Sequence, residues 1–203
     1  MVNISVHNIE VEKRARLDDV SAFKKTVVAL GAVFAGEIYI KDIYFCGRAA
    51  TTFEEVEMNI VGSYSLRLRK EKQPNTPERI TLNTKTITNH GDHSAWEEHE
   101  VEVGDFSETA DILKATEFKP YFELEKTRYV YRLNDMEVCI EDIKDFGGAV
   151  EIEIMCATGK EEESKEKIKK FLRECGIDDD HLVPKSITNI IMKERAFKQD
   201  ILI

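Results

Sequence analysis

The segment 9–17 places charged side chains at every second position, the spacing that gathers charge on one face of a β-strand. Because successive side chains of a strand point to opposite faces, one face of this segment is apolar and the other is charged. The charged face consists of Glu10, Glu12, Arg14 and Arg16. Carboxylates are ligands for hard divalent metal ions and arginines bind anions, so this face could hold a metal ion together with a polyanion.

The same alternation recurs along the chain, which predicts that most strands carry charge on one face only. Strands are predicted at 37–45, 64–71, 79–86, 97–103, 124–132, 137–142 and 149–156. In most of them one parity is apolar and the other is charged or polar. In the segment 64–71, for example, Arg67 and Arg69 alternate with large apolar side chains.

Two architectures explain a repeated charged strand face. In the first, a single sheet packs helices on its apolar face and exposes the charged face to water, where charge costs little. In the second, the sheet is closed or strongly curved around a wet cavity, because unpaired charges in a dry interior would be prohibitive. The charged faces are rich in arginine, and basic and acidic residues are grouped by strand, which favours the cavity.

Composition restricts the classes of function. The chain has 203 residues, enough for one domain or two small ones, and its 42% hydrophobic content allows a substantial core. The net charge of −10 disfavours a general nucleic-acid binder, so any anion site must be a local concentration of basic residues. With no stretch of transmembrane length and no signal-like start, we expect a cytoplasmic protein. The four scattered cysteines form no CxxC motif, which argues against a zinc knuckle or redox pair.

The order of the predicted elements indicates the fold class. Helices are predicted at 17–30, 105–116, 160–175 and 186–194. Asp105 can cap the second helix, and 158–161 resembles a capping box before the third. The segment 46–63 is either an edge hairpin or an ordered loop, and 89–94 is a polar loop. Runs of strands separated by single helices predict an α+β fold with mostly antiparallel pairing.

Six segments resemble, in order, the motifs of the CYTH superfamily, which includes class IV adenylate cyclases, thiamine triphosphatases and inorganic triphosphatases. Glu10–Arg14 is similar to the ExExK signature, with Arg14 in the final basic position. Segments similar to the DxYF, LRIR, LTxK, KxR and LGxFxEIE motifs lie at 42–45, 66–69, 80–85, 126–128 and 146–153. The resemblance implies a single domain over 1–195, followed by a tail at 196–203.

The resemblance also implies a fold and a site. The fold would be an antiparallel β-barrel, or tunnel, with a charged interior and helices packed outside. The basic residues that would bind a triphosphate are Arg14, Arg16, Arg67, Arg69, Lys85, Lys126 and Arg128. The acidic residues that would hold Mg²⁺ or Mn²⁺ are Glu10, Glu12, Glu141, Asp142, Glu151 and Glu153. Catalytic roles would fall to Glu10, Glu12 and Lys85.

Three positions depart from the family pattern. Glu141 stands where the family usually has Asp, and Asp142 follows it; strand parity favours Glu141, and both stay open as the ligand. The stretch 95–100 lacks the arginine that often precedes the ExE of the middle strand. Ser186 is followed by Ile187 where the family usually has Tyr. The site is therefore expected to be largely intact but not standard.

The resemblance leaves three functions open. The first is a metal-dependent triphosphatase, in which water attacks the terminal phosphorus. The second is a class IV adenylate cyclase, which makes cyclic AMP and pyrophosphate from ATP. The third is a non-catalytic binder of polyphosphate or nucleotide, against which the many carboxylates argue. The expected partner is ATP, thiamine triphosphate or tripolyphosphate, with no nucleic acid or membrane, and a homodimer is left open.

Overall fold

The part of the chain that the structure describes combines nine β-strands with four α-helices. The computed structural model describes residues 8–88, 96–183 and 186–198. The strands are β1 (Asn8–Leu17), β2 (Val33–Gly47), β3 (Tyr64–Lys72), β4 (Arg79–Ile87), β5 (Trp96–Glu102), β6 (Phe118–Leu133), β7 (Met136–Ile143), β8 (Gly147–Ala157) and β9 (Leu182–Val183). The helices are α1 (Val20–Ala29), α2 (Phe106–Ala115), α3 (Glu161–Glu174) and α4 (Ile187–Arg195).

The strands belong to one sheet with the order β5-β4-β3-β2-β6-β7-β8-β1-β9. The pairs β1–β8, β1–β9, β2–β3, β3–β4, β4–β5 and β7–β8 are all antiparallel. The predicted α+β class with antiparallel pairing is therefore confirmed. Over residues 8–88, 96–183 and 186–198, the two edge strands, β5 and β9, are not paired with each other. Closure of the sheet into a barrel or tunnel therefore stays a prediction.

The chain divides into two compact units. Unit 1 comprises Met1–Glu37 and Thr127–Ile187, and unit 2 comprises Ile38–Lys126 and Thr188–Ile203. Each unit has a hydrophobic core of its own. The single domain predicted over 1–195 stays a prediction.

In unit 1, two helices cover the apolar face of the strands. α1 begins after Asp19, whose carboxylate accepts a hydrogen bond of 2.9 Å from the backbone N–H of Ala22. The helix buries Phe23 and Val27 in a core shared with β1, β7, β8 and α3. Because this core occupies the apolar parity of the strands, the charged parity faces away from the helices.

In unit 2, α2 covers the apolar face of β2 and β3. Asp105 caps the helix by accepting a hydrogen bond of 2.8 Å from the Glu108 backbone N–H, which confirms the predicted cap. The helix buries Ala110 and Leu113 against Ile43 and other apolar residues of β2 and β3. The opposite face of these strands carries Asp42, Arg67 and Arg69 and their neighbours, as alternation requires.

Three local predictions differ from the structure or are decided by it. α3 begins after Lys160, which makes no side-chain capping bond, so the predicted capping box at 158–161 is wrong. β2 ends at Gly47, and the rest of the segment 46–63 contains no strand. The segment is therefore a loop and not an edge hairpin. β2 and β6 begin earlier than predicted, at Val33 and Phe118.

Some predictions fall where the structure gives no description. The polar loop at 89–94, with His90 and His93, and the end of the tail at 199–203 lie outside the described residues. Among the helices that are described, none combines the length and the apolar character needed to span a membrane.

Candidate functional site

The charged face of unit 1 consists of side chains aligned in rows across neighbouring strands. Antiparallel pairing places Glu153 of β8 between Glu12 of β1 and Glu137 of β7. The next row places Arg14 opposite Glu151. Opposed side chains on adjacent strands lie close enough to interact, so the alternation seen in the sequence becomes one patch of mixed charge.

Three carboxylates of this patch, those of Glu10, Glu12 and Glu153, lie close enough to share a cation. One oxygen atom from each lies within 4.8 Å of the other two. Burial, together with the charges of Glu151 and Glu10, raises the pKa of Glu153 to about 7. Burial also raises the pKa of Glu12. A divalent cation would relieve this repulsion, and oxygen donors suit Mg²⁺ or Mn²⁺, so these residues fit the predicted metal.

Beside this cluster, acidic and basic groups alternate in a chain of ion pairs. The Arg14 guanidinium contacts the carboxylates of both Glu12 and Glu151. Arg128 donates from Nε and Nη2 to Glu141 Oε1, at 2.9 and 2.7 Å. Arg128 Nη2 also lies 3.6 Å from Glu151 Oε2. Glu151 therefore links the two arginines, and Glu141 also holds Arg128.

Two predicted site residues of unit 1 lie apart from this chain of ion pairs. The Arg16 guanidinium lies 4.3 Å from the centroid of the Phe146 ring, a cation–π contact. Asp142 is exposed, and strand alternation directs its side chain to the face opposite that of Glu141. The structure thus brings Glu141, and not Asp142, to the charged face.

The charged face of unit 2 is built around a buried ion pair. Asp42 on β2 is 1% exposed and accepts hydrogen bonds from Arg69 Nε at 2.7 Å and Arg69 Nη2 at 2.8 Å. The remaining nitrogen, Arg69 Nη1, lies 3.5 Å from Glu71 Oε1. Burial opposes the charge of Arg69, but the hydrogen bonds and charge of Asp42 raise its pKa. Arg69 is therefore a fixed positive charge.

Among the described residues, two buried polar atoms next to this pair have no hydrogen-bond partner, namely Arg67 Nε and Thr81 Oγ1. Arg69 pairs with Thr81, and Arg67 pairs with Asn83, in the register of β3 and β4. The two atoms therefore belong to adjacent rows of one face. Since buried polar groups are nearly always satisfied, an unpaired donor and an unpaired hydroxyl on a basic face indicate a place for an anion.

Lys85 and Lys126 complete the predicted basic set of unit 2. Lys85 Nζ lies 3.0 Å from Glu98 Oε2, and Glu98 also accepts a hydrogen bond of 2.6 Å from Asn83 Nδ2. Burial works against ionisation of Glu98, but the hydrogen bonds from Lys85 and Asn83 lower its pKa. Lys126 on β6 is buried. Lys85 is thus presented on the charged face with a carboxylate as its partner.

Sequence reasoning missed two acidic residues that organise this face. Asp42 was visible as the first residue of the segment 42–45, and Glu98 as part of the charged parity of 97–103. The missing information was the strand register, which decides that Asp42 meets Arg69 and that Glu98 meets Lys85.

The chain is similar to known proteins over most of its length. The family model described as the CYTH domain matches residues 8–187. A Methanocaldococcus jannaschii protein named "Putative adenylate cyclase MJ0240" is 27% identical over 187 residues, which cover 88% of this chain and 95% of the relative. The solved structure of the PH1012 protein from Pyrococcus horikoshii is 25% identical, with a TM-score of 0.63 and coverage of 88% of this chain and 96% of its own.

A plant structure shares the fold. It is the "Putative adenylyl cyclase HpAC1" from Hippeastrum, described as having a dominant triphosphatase activity. It is 20% identical, with a TM-score of 0.60, and the match covers 93% of this chain and 95% of that one.

Proposed function

Because the chain belongs to the CYTH family, we propose that it is a metal-dependent triphosphatase, which binds a triphosphate and cleaves its terminal P–O bond. The observation that carries the proposal is the cluster of Glu10, Glu12 and Glu153, with Arg14 paired to one of its members. This combination suits phosphoryl transfer, because metal ions and arginines together neutralise the charge on the phosphate oxygens.

In unit 1, the proposed roles follow from the contacts. Glu10, Glu12 and Glu153 would hold Mg²⁺ or Mn²⁺, which supplies charge neutralisation and Lewis acidity when bound. Arg14 and Arg128 can bind phosphoryl oxygens bidentately. Glu151 contacts both guanidinium groups, so a phosphoryl group would compete with this carboxylate for their donors.

The proposal assigns anion binding in unit 2 to Arg67, Arg69, Lys85 and Lys126, and it retains Arg16 of unit 1 in the same role. Lys85 is also retained as a catalytic residue. Its ammonium group is partly exposed and can exchange Glu98 for a phosphoryl oxygen. Being a point charge on a flexible stem, it can follow the charge as it moves during the reaction.

Product analysis by phosphorus NMR tests the proposal. The protein is incubated separately with ATP, thiamine triphosphate and inorganic tripolyphosphate, each with Mg²⁺ or Mn²⁺. We expect orthophosphate from at least one of them, with the activity lost in Glu12→Gln. The matched control is Glu162→Gln, which removes an exposed carboxylate that pairs with Lys165 on α3. Orthophosphate release that survives in Glu12→Gln would contradict the proposal.

Adenylate cyclisation is the second candidate, and the name of the Methanocaldococcus jannaschii relative favours it. Here the ribose 3′-hydroxyl would attack the α-phosphorus of ATP and pyrophosphate would leave. The same spectra distinguish the two reactions, because cyclic AMP and pyrophosphate would replace orthophosphate. Tight tripolyphosphate binding with no turnover of any substrate would instead identify a binding protein.

A further inference from the structure

The two arginines of the segment 67–69 are not equivalent. Arg69 uses Nε and Nη2 on the carboxylate of Asp42, and its remaining nitrogen, Nη1, has only a long contact of 3.5 Å to Glu71 Oε1. The Nε atom of Arg67 is buried and has no hydrogen-bond partner among the residues that the structure describes, although another part of its side chain contacts Tyr44. One arginine of the pair is therefore fixed by the protein, and the other has an unsatisfied donor.

The carboxylate that fixes Arg69 is deeply buried. Asp42 stands directly opposite Arg69 in the antiparallel pair β2–β3, and only 1% of it is exposed. Rotating the guanidinium away would break two charge-assisted hydrogen bonds and leave a buried carboxylate unpaired, which is strongly unfavourable. The Nη1 edge of Arg69 is consequently held in one orientation.

The residues next to Arg69 supply further hydrogen-bond donors near its fixed guanidinium edge. Thr81 is opposite Arg69 on β4, is 1% exposed, and has an Oγ1 atom without a partner. A hydroxyl donor, a fixed guanidinium edge and the unpaired Nε of Arg67 together match the needs of a phosphoryl oxygen, which accepts several hydrogen bonds from cationic and neutral donors.

We propose that Asp42 is a positioning residue, which acts through Arg69 to hold one edge of a phosphoryl subsite formed by Arg69, Arg67 and Thr81 in unit 2. The subsite takes one phosphate group of a polyphosphate. The inference rests on the proposed function for the identity of the anion. It adds different roles for the two arginines, one positioned by Asp42 and one with an unsatisfied donor. It also adds a role for Asp42, a carboxylate that touches no substrate, and for the hydroxyl of Thr81 as a donor.

The direction in which Asp42→Asn changes the affinity for the anion distinguishes a positioning role from a purely electrostatic one. Replacing Asp42 by asparagine removes a negative charge, so Coulomb attraction alone predicts tighter anion binding. Positioning predicts weaker binding, because the amide of asparagine offers only one acceptor atom and turns a donor toward the guanidinium. We expect affinity to fall roughly tenfold, in line with the loss from misplacing a binding group.

The experiment is a calorimetric titration of tripolyphosphate into the metal-free protein. Asp42→Asn is compared with Asp111→Asn, which removes an exposed carboxylate paired with Lys114 on α2. This helix packs on the apolar side of β3, so the control makes the same charge change on the other face of the sheet. We expect the control to bind within about twofold of the wild type. Unchanged or tighter binding by Asp42→Asn would overturn the positioning role.

A double-mutant cycle with Arg69→Gln decides whether Asp42 acts through Arg69. If it does, Asp42→Asn adds no further loss of affinity once Arg69 has been replaced. The double variant also removes both partners of the buried pair, so it remains folded more readily than either single variant. Additive losses would overturn the proposal, and a melting curve for each variant checks the fold.

Thr81→Val tests the hydroxyl. It replaces an unpaired buried hydroxyl by a methyl group of similar size, so the melting temperature should rise or stay the same. Affinity for tripolyphosphate should fall about fivefold, the usual value of one hydrogen bond. Unchanged affinity would remove Thr81 from the subsite. A wild-type protein that fails to bind tripolyphosphate both without metal and with Mg²⁺ present would instead reject the proposed function itself, and the subsite with it.

Discussion

Glu12 and Glu153 face each other directly across the antiparallel pair β1–β8, so two carboxylates occupy a place where an ion pair would be stabilising. Glu10 adds a third carboxylate within 4.8 Å. The metal-free fold therefore contains an electrostatic repulsion that a cation would remove. This relationship leads to the first two predictions.

The stability of the metal-free protein should fall between pH 5 and pH 8 because of Glu153. Its folded-state pKa of about 7 exceeds the ordinary value of 4.5, so the native state binds this proton more tightly than the unfolded state does. The stabilisation is fully present below about pH 4.5 and is lost as the pH rises through 7. Since Glu153 is only half-buried, we expect about 1 kcal/mol, or roughly 2–4 °C in melting temperature.

The measurement is thermal unfolding of wild type and Glu153→Gln at both pH values in the presence of a chelator. The glutamine variant cannot ionise at this position, so its melting temperature should fall less than that of the wild type. Equal decreases in the two proteins would contradict the assignment of the raised pKa to Glu153.

Binding of Mg²⁺ should release protons at pH 6.5 but not at pH 8.5. At the lower pH much of Glu153 is protonated, and a divalent ion bound by the cluster requires the carboxylate form. Calorimetry at pH 6.5 in two buffers of different ionisation enthalpy should therefore give different heats, equivalent to a sizeable fraction of a proton per ion. Glu153→Gln should give a smaller difference, since Glu12 is then the carboxylate of the cluster with a raised pKa. Equal heats for the wild type in both buffers would argue against a metal at this cluster.

Glu151→Gln should lower the free energy of unfolding by about 1–3 kcal/mol, because the carboxylate that Arg14 and Arg128 both contact is lost. The variant should also gain more in melting temperature than the wild type when tripolyphosphate is added, since the released guanidinium donors can bind phosphoryl oxygens.

Melting curves with and without tripolyphosphate measure both effects. Glu163→Gln is the control, because it removes an exposed carboxylate that pairs locally with Lys160, the residue before α3. Equal gains for Glu151→Gln and the wild type would indicate that the anion does not reach Arg14 and Arg128.

Gly148→Ala should destabilise unit 1 without any change in its charged groups. A Cβ atom at this position would lie 2.5 Å from Val20 Cγ2 and 2.8 Å from Leu17 Cβ, where β8 passes the start of α1. Such overpacking costs about 1–3 kcal/mol, which is several degrees in melting temperature for a chain of this size. Gly104→Ala, with no atom within 4 Å of the added Cβ, should melt like the wild type.

The faces of the strands could be predicted from the sequence because side-chain direction is a local property of extended backbone. Alternation alone placed Glu10 and Glu12 on one face of β1 and favoured Glu141 over Asp142 on β7. The cap at Asp105 was predictable for the same reason, since the acceptor and the N–H it satisfies lie three residues apart. The capping box at 158–161 failed because the helix begins later, after Lys160.

The pairing of residues distant in sequence was decided only by the tertiary structure. The local sequence does not determine that Asp42 lies opposite Arg69 or that Glu12 lies opposite Glu153. Strand register depends on the packing of whole strands and their helices. The two-residue strand β9 exists only because β1 offers main-chain groups to pair with. The sequence alone therefore determined which side chains are charged and which way they point. The tertiary structure decided which of them form a carboxylate cluster, which hold arginines, and which polar atoms remain open to a ligand, because these depend on distances between separate strands.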